Sequence, residues 1–468
     1  MLEIKLSEHA TTVLYPREVG LENEQTIAHH YSRYSNLVPR TFKRRKGKDE
    51  HCFQLQAKGG LVSLSANYYI GLDWLVTGES FVQVQPKVNM KVLEAFETKL
   101  DAADAVDKSP DPGEKEQHPD PKNLKELNYL KMFLDALAHP IVAQKLDGLI
   151  AIDWDAPRIP VPQQQDMLTP FLILQFLKLL KDIARKGLKK SYYKVQNQLN
   201  GKIKGKLMVS EHIKRNLVKH RPSSSYCQYE EFGVDNTENR FLKEVLQYAQ
   251  RYLTTNPVVF KGMEATVAQM INFCRPAFSQ VSKLDDTRQL RHLRNSPFFR
   301  EYTQAIRIGE LILKRFAYNF SQVGASLVPT PPFWIDMPLL FELYTYSHLL
   351  GCFSPDQIEY HHSTYGNELD FLIKKEGFQM VVDAKYKLHY KAGHIHSDIR
   401  QVSGYARLKT VYDALGKQGG SHLINCLIIF PSHQSDVKAF KLADELGSLP
   451  RIGAYHGMYK LGIPMPWM

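Results

Sequence analysis

Two short segments of this chain carry residue types suited to one reaction. Asn367-Glu368-Leu369-Asp370 is followed, a hairpin later, by Asp383-Ala384-Lys385-Tyr386-Lys387. Phosphodiester hydrolysis needs this combination: carboxylate oxygens to hold a hard divalent cation, and a lysine beside them to orient water or meet the charge that develops on the phosphate. Between the segments, Phe371-Leu372-Ile373 is apolar, Lys375-Glu376-Gly377 is a turn signal, and Phe378 to Val382 is again apolar. This pattern predicts a β-hairpin. With Glu376-Gly377 as a two-residue loop, Asp370 falls opposite Asp383, and the strand period of two puts Lys385 on the face of Asp383. An ordinary charged hairpin would carry the same three residues, so the neighbouring elements must make the distinction.

Before the hairpin the sequence predicts a helix, with Asp336 as N-cap, Pro338 in the first turn, and Leu339, Leu340, Leu343, Tyr346, Leu349 and Leu350 at helical spacing up to Gly351. Glu342 lies on it. A short strand is expected at Gln357 to Tyr360. After the hairpin comes a helix from about Asp398, capped by Ser397, on which Gln401 and Tyr405 share a face. The apolar run Leu423 to Phe430, ending at Pro431, suits a strand covered on both faces. The resulting order is helix, three strands, helix, strand.

That order, with the acids and lysine on its second and third strands, resembles the core of the PD-(D/E)xK restriction-endonuclease-like superfamily. Gln401-x-x-x-Tyr405 is similar to the QxxxY motif of the RecB-like branch. The resemblance implies Asp370 and Asp383 as metal ligands, Lys385 as the catalytic cation, and Gln401 and Tyr405 as its support. It also implies Glu342 as the first-helix acid that some members add to the metal site. Leu369 stands where the superfamily has a proline.

More of the chain resembles McrC, the nuclease subunit of modified-cytosine-dependent McrBC systems. The resemblance lies in Trp334-Ile335-Asp336-Met337-Pro338-Leu339-Leu340-Phe341-Glu342 and Asp383-Ala384-Lys385-Tyr386-Lys387. Upstream it lies in Gly201-Lys202-Ile203-Lys204-Gly205, Cys227-x-Tyr229-x-Glu231-Phe232 and the stretch Asp235 to Leu242, and near the start in Tyr69-Ile70-Gly71 and Val84-Gln85-Pro86-Lys87. It implies a type IV restriction endonuclease subunit, dependent on Mg2+ or Mn2+, that cuts double-stranded DNA carrying modified cytosine. The implied partner is a hexameric McrB-like AAA+ GTPase, docked at residues 1–122 and stimulated by this chain. Two alternatives stay open: a stand-alone RecB-like repair or recombination nuclease, and an adaptor that activates a GTPase and bridges it to DNA without cutting.

A chain of 468 residues suggests about three domains, and 43% hydrophobic with 23% charged residues is ordinary for a folded protein. The expected fold class is a multidomain α/β protein. Residues 1–122 are expected to be β-rich, from runs such as Cys52 to Leu55, Leu61 to Leu64 and Phe81 to Val84, with an acidic, proline-rich flexible loop at about 99–122. Residues 123–327 are expected to be mainly helical, and 328–468 to form the restriction-endonuclease-like αβββαβ core.

Residues 181–221 hold thirteen basic side chains against two acidic ones, matching the net charge of the whole chain, +11. Lys202, Lys204, Lys206, Lys214 and Arg215 are the candidates for DNA phosphates, with Tyr192 and Tyr193 available for stacking. A solvated basic face, or a dock for an acidic partner, fits the same residues. Gly201-Lys202-Ile203-Lys204-Gly205-Lys206-Leu207 has too few residues between its glycines for a phosphate-binding loop and lacks its Ser or Thr, so no nucleotide site is expected. His361-His362 and His394-x-His396 are further metal-ligand types, expected as loop histidines near the hairpin. Phe171 to Leu180 is broken by Gln175 and Lys178 and is too short for a membrane; with Thr169-Pro170 before it and Gly187 after it, it predicts a buried, capped helix. Five scattered cysteines without Cys-x-x-Cys spacing suggest reduced thiols and a cytoplasmic protein.

Overall fold

The computed structural model describes residues 1–14, 37, 39–42, 50–58, 61–91, 93–94, 123–162, 165–284, 300–320, 327–364, 367–386, 394–417, 422–432 and 449–468. The acidic loop at 99–122 lies outside them. The chain divides into two compact units, Met1–Ile159 with Thr330–Met468, and Pro160–Pro329.

The first unit opens with strands β1 (Leu2–Ser7), β2 (Thr11–Leu14), β3 (Phe53–Lys58), β4 (Leu61–Ala66), β5 (Tyr69–Val76) and β6 (Ser80–Gln85), then helix α1 (Tyr129–Ala136) and strand β7 (Ile150–Ile152). β2, β4 and β3 form a small antiparallel sheet. The runs predicted as strands fall in β3, β4 and β6.

The second unit holds helix α2 (Leu168–Lys186), strands β8 (Ser191–Asn200), β9 (Lys206–Leu207) and β10 (Ser224–Gly233), and helices α3 (Thr237–Thr255), α4 (Glu264–Cys274) and α5 (Arg300–Phe320). α2 is the predicted capped helix. Asp166 accepts from the N–H groups of Leu168 at 3.1 Å and Thr169 at 3.2 Å, and Gly187 ends the helix at φ +90°. That satisfies donors a helix start leaves open. Arg315 of α5, 2% exposed, donates to Asp166 Oδ1 at 2.8 Å and to Thr169 Oγ1 at 2.9 Å. A buried ion pair thus ties α5 to the start of α2.

Between α2 and α3 the helical expectation is corrected by a three-stranded antiparallel sheet in the order β8-β10-β9. Exposure along the start of β8 alternates residue by residue from Ser191 to Gln196, a strand period and not a helical one. Gly201 and Gly205 turn the chain between β8 and β9, at φ +67° and +69°. A Cβ on Gly205 would lie 2.4 Å from the Gln228 carbonyl oxygen.

The chain then returns to the first unit through β11 (Phe333–Asp336), α6 (Met337–Leu350), β12 (Ile358–Thr364), β13 (Asn367–Ile373), β14 (Met380–Ala384), α7 (His394–Tyr405), α8 (Lys409–Ala414), β15 (Asn425–Ser432) and β16 (Met458–Pro464). β11 completes a sheet ordered β1-β6-β5-β11-β7. Trp334 pairs with Gly71 there, and a Cβ on Gly71 would lie 2.0 Å from the Phe333 carbonyl oxygen. Only glycine admits that approach. Trp334 is fully buried among Phe53, Leu64 and Val82, and its indole donates to Asp73 at 3.1 Å. The first and last regions expected from the sequence therefore share one compact unit, together with residues 123–159.

The second large sheet runs β12-β13-β14-β15-β16, antiparallel up to β14 and parallel beyond it. Asp336 caps α6 as predicted, accepting from the Leu339 N–H at 3.0 Å, and the elements follow the expected order. Three boundaries differ. β12 extends to Thr364, so His361 and His362 lie on a strand and not in a loop; α7 starts at His394, so Ser397 is inside the helix; β15 continues through Pro431 to Ser432. Leu372, Val381, Ile399, Val402, Ile428 and Phe430 pack between this sheet and α7. Burying apolar side chains of this size stabilises by about 1.5–3 kcal/mol each, which gives the strand ends above them a rigid base.

Candidate active site

β13 and β14 pair through Phe371↔Val382, Leu372↔Val381 and Ile373↔Met380. One step further, this register sets Asp370 against Asp383, as the sequence predicts. The reversal is a turn in which the Phe378 N–H donates to the Lys375 carbonyl at 2.9 Å, with Gly377 at φ +76°. Glu376 and Gly377 are the two central residues of that turn, as expected; ladder pairing stops short of it, at Ile373 and Met380, and the register is unchanged. Asp370 Oδ2 accepts from the Ala384 N–H at 2.7 Å, and the Lys385 N–H donates to the Ile429 carbonyl at 2.8 Å. Backbone bonds thus position both sides of the site.

Lys385 Nζ stands 2.9 Å from Asp383 Oδ2 and donates to Gln401 Oε1 at 2.9 Å. Gln401 Nε2 donates in turn to the Tyr405 hydroxyl at 2.8 Å. Presenting its carbonyl to the lysine and its amide to the tyrosine, Gln401 uses both ends of its side chain. Tyr405, Gln401, Lys385 and Asp383 form one connected line, with Asp370 across the strand.

Charge in this site is crowded and poorly hydrated. Burial, then the Asp383 and Glu342 charges, raise the Asp370 carboxyl well above the usual carboxylate range. Burial also raises Asp383 against the pull of Lys385, with Asp398 and Glu342 adding to the rise. For Lys385, burial opposes the charge, but Asp383 and Asp370 overcome it and lift the ammonium above its ordinary value. Lys385 is held protonated beside acids whose burial and mutual repulsion its charge only partly offsets.

Glu342 faces the same region from α6. Its Oε1 is bonded to His361 Nε2, and the other ring nitrogen, Nδ1, is 2.9 Å from Glu368 Oε1. The donor chemistry fits a hard divalent cation, since Asp370, Asp383 and Glu342 offer oxygens whose mutual repulsion such an ion would relieve. As the side chains stand, Glu342 is engaged by His361 and Asp383 by Lys385, and among the described residues no three His, Cys, Asp or Glu groups are gathered closely enough to hold a metal ion. His394 and His396 fall at the start of α7, where side chains are outside the described set.

Glu368 and Asp398 join this neighbourhood beyond the residues the sequence singles out, and His361, expected only as a loop histidine near the hairpin, joins it from a strand. Glu368 lies two before Asp370 and so shares its strand face, a signal present in the spacing. Asp398, 7% exposed, lies three before Gln401 on one face of α7 and acts on both Asp383 and Lys385. For His361 the sequence signals only a histidine pair near the hairpin; its place between Glu342 and Glu368 depends on an irregularity of the β12 backbone, where φ is +57°.

The basic candidates belong to the second unit. Lys202, Lys204, Lys206, Lys214 and Arg215 are all exposed. Lys204 Nζ lies 4.0 Å from the centre of the Tyr229 ring, and Arg215 lies over Tyr226 at 4.4 Å. Tyr192 is 72% exposed, its ring 5.1 Å from that of Phe232. Tyr193 is half-buried. All five cysteines are free thiols, and no helix among the described residues is long and apolar enough to cross a membrane.

A chain in a refined half-complex from a tetradecameric assembly of Thermococcus gammatolerans McrB AAA+ hexamers with bound McrC is similar at 16% identity and TM-score 0.37, over 99% of this chain and 94% of that one. A chain of the Thermococcus gammatolerans McrBC complex is similar at 15% identity and TM-score 0.29, over 74% and 87%. Both likenesses are too distant to carry an argument. The comparison with curated proteins finds no match. The family model for McrBC 5-methylcytosine restriction system components matches residues 78–415, well over half of the sequence and including Glu342, Asp370, Asp383, Lys385, Gln401 and Tyr405. The chain belongs to the McrBC family of 5-methylcytosine restriction system components.

Proposed function

We propose that this chain is the DNA-cutting subunit of a type IV restriction system, hydrolysing phosphodiester bonds in double-stranded DNA that carries modified cytosine. Its αβββαβ segment is read as a restriction-endonuclease-like core. The observation that carries the reading is Asp370 set against Asp383 across two strands, with Lys385 held between Asp383 and Gln401. Asp370, Asp383 and Glu342 would hold Mg2+, or Mn2+ in its place, whose chemistry there is to polarise the phosphate and ease deprotonation of water. Lys385 supplies a fixed positive charge that orients the attacking water or meets charge developing on the phosphate. Gln401 aims that ammonium, and Tyr405 holds Gln401.

Membership of a family of restriction-system components supports action alongside other components. With no phosphate-binding loop in the sequence, GTP hydrolysis is assigned to an AAA+ partner that this chain stimulates. Reading of the modified base is assigned to that partner as well.

The test is cleavage of methylated and unmethylated plasmid by the affinity-purified native complex with Mg2+, with and without GTP, for wild type and Lys385→Ala. Cutting that requires methylation, GTP and Lys385 is the expected result. Cutting by the isolated chain without GTP or methylation would favour a stand-alone nuclease. Absence of any Lys385-dependent cutting would overturn the nuclease assignment in favour of an adaptor.

A further inference from the structure

We infer that His361 is a positioning residue for Glu342, holding that carboxylate beside the Asp370–Asp383 pair; the inference rests on the nuclease reading above. β12 and β13 pair through Tyr360↔Phe371 and His362↔Leu369, so His361 stands across from Asp370. At that point its backbone takes φ +57°, the left-handed region, in the middle of a strand. A histidine there is strained, and strain of this kind persists only where the surroundings impose it. The surroundings are two carboxylates, Glu342 bonded to Nε2 and Glu368 Oε1 at 2.9 Å from Nδ1, with the Tyr360 ring stacked 3.7 Å away.

An ordinary extended residue would continue the β12 ladder. The left-handed turn of the backbone accompanies a ring placed between an acid of α6 and an acid of β13. Glu342 acts electrostatically on Asp370 and Asp383 from this held position. Second-sphere partners that orient a ligand typically change metal affinity by about 10–100-fold when removed. His361 is assigned that role toward Glu342, with Glu368 orienting the ring from its other side.

The test uses the full chain, with His361→Gly, His361→Asn, Glu342→Gln and the His361→Gly/Glu342→Gln double variant. Three quantities are read: melting temperature, Mn2+ affinity by calorimetry, and cleavage in the complete system. Glycine suits a left-handed backbone and asparagine tolerates it, so His361→Gly should melt at or above the wild-type temperature. Its Mn2+ affinity should nevertheless fall by about tenfold or more, with cleavage falling in parallel. Glu342→Gln should give a similar loss, and the double variant no further loss than the larger single one. His361→Asn gives the same readouts if the glycine variant does not fold. Wild-type Mn2+ affinity and cleavage in a folded His361 variant would overturn the inference, as would losses that multiply in the double variant. A wild-type chain that binds no Mn2+ and cuts no DNA in the complete system overturns the nuclease reading and this inference with it.

Discussion

The β13–β14 site and the β8–β10 sheet both concentrate charge, and they handle it in opposite ways. The Lys385 and Asp383 side chains are 16% and 5% exposed, and their contact is supported by backbone-fixed strands and by Gln401. The Lys214 and Glu211 side chains are 73% and 37% exposed at 3.9 Å, on a short helical turn. Water screens the second pair and largely leaves the first alone, so a similar pairing carries very different weight. Crowded, buried acids at a strand end are arranged for chemistry on a bound group. Exposed lysines backed by aromatic rings suit a broad, salt-sensitive contact with a charged partner.

Breaking the buried side of this contrast should have the largest effect. Lys385→Ala is expected to lower cleavage of methylated plasmid by about 10³-fold or more, with a native circular dichroism spectrum at the assay temperature and a lowered melting temperature, because buried Asp383 loses its cation. Residual cutting within tenfold of wild type would remove Lys385 from the reaction.

Within the second unit, burial should again decide the outcome. Arg315→Ala strands Asp166 without its cation and should destabilise by about 3–5 kcal/mol. Lys214→Ala, at the exposed pair, should fall within about 0.5 kcal/mol. Urea denaturation of both variants compares them directly, and equal losses would contradict the role given to burial.

Gly71→Ala tests the sheet shared by the first and last regions. The added methyl group would overlap the Phe333 carbonyl, and a loss toward the upper end of about 1–3 kcal/mol is expected in chemical denaturation. A neutral substitution would mean that β11 does not approach β5 so closely.

The smallest effects belong to the exposed lysines. Each of Lys202, Lys206 and Lys214 that contacts phosphate should, when replaced by alanine, reduce the slope of log DNA affinity against log salt by about 0.9. Unchanged slopes for all three would assign this face to a partner other than DNA.

Much of the site is legible in the sequence because its signals are local. Asp336 and Pro338 mark the start of α6 through capping chemistry, and Gly377 marks the turn whose position sets Asp370 opposite Asp383. Gln401 and Tyr405 share a helix face by spacing alone. The start of α7 is less legible: Ser397 resembles a cap, yet it lies inside a helix beginning at His394. Strand β8 is hidden in the sequence because both of its faces mix aromatic and polar residues, Tyr192 and Lys194 on the exposed one and Ser191 and Tyr193 on the other, so its period of two is plain only in the alternating exposure.

Sequence alone determined the residue types, the local starts and turns, and the hairpin register, because each depends on neighbours a few positions away. Tertiary structure alone decided that Trp334 packs against strands from the opposite end of the chain, that Asp398 joins the charges around Lys385, and that His361 leaves the strand conformation between Glu342 and Glu368. Those outcomes depend on which distant groups compete for the same space and charge, and no short-range pattern encodes that competition.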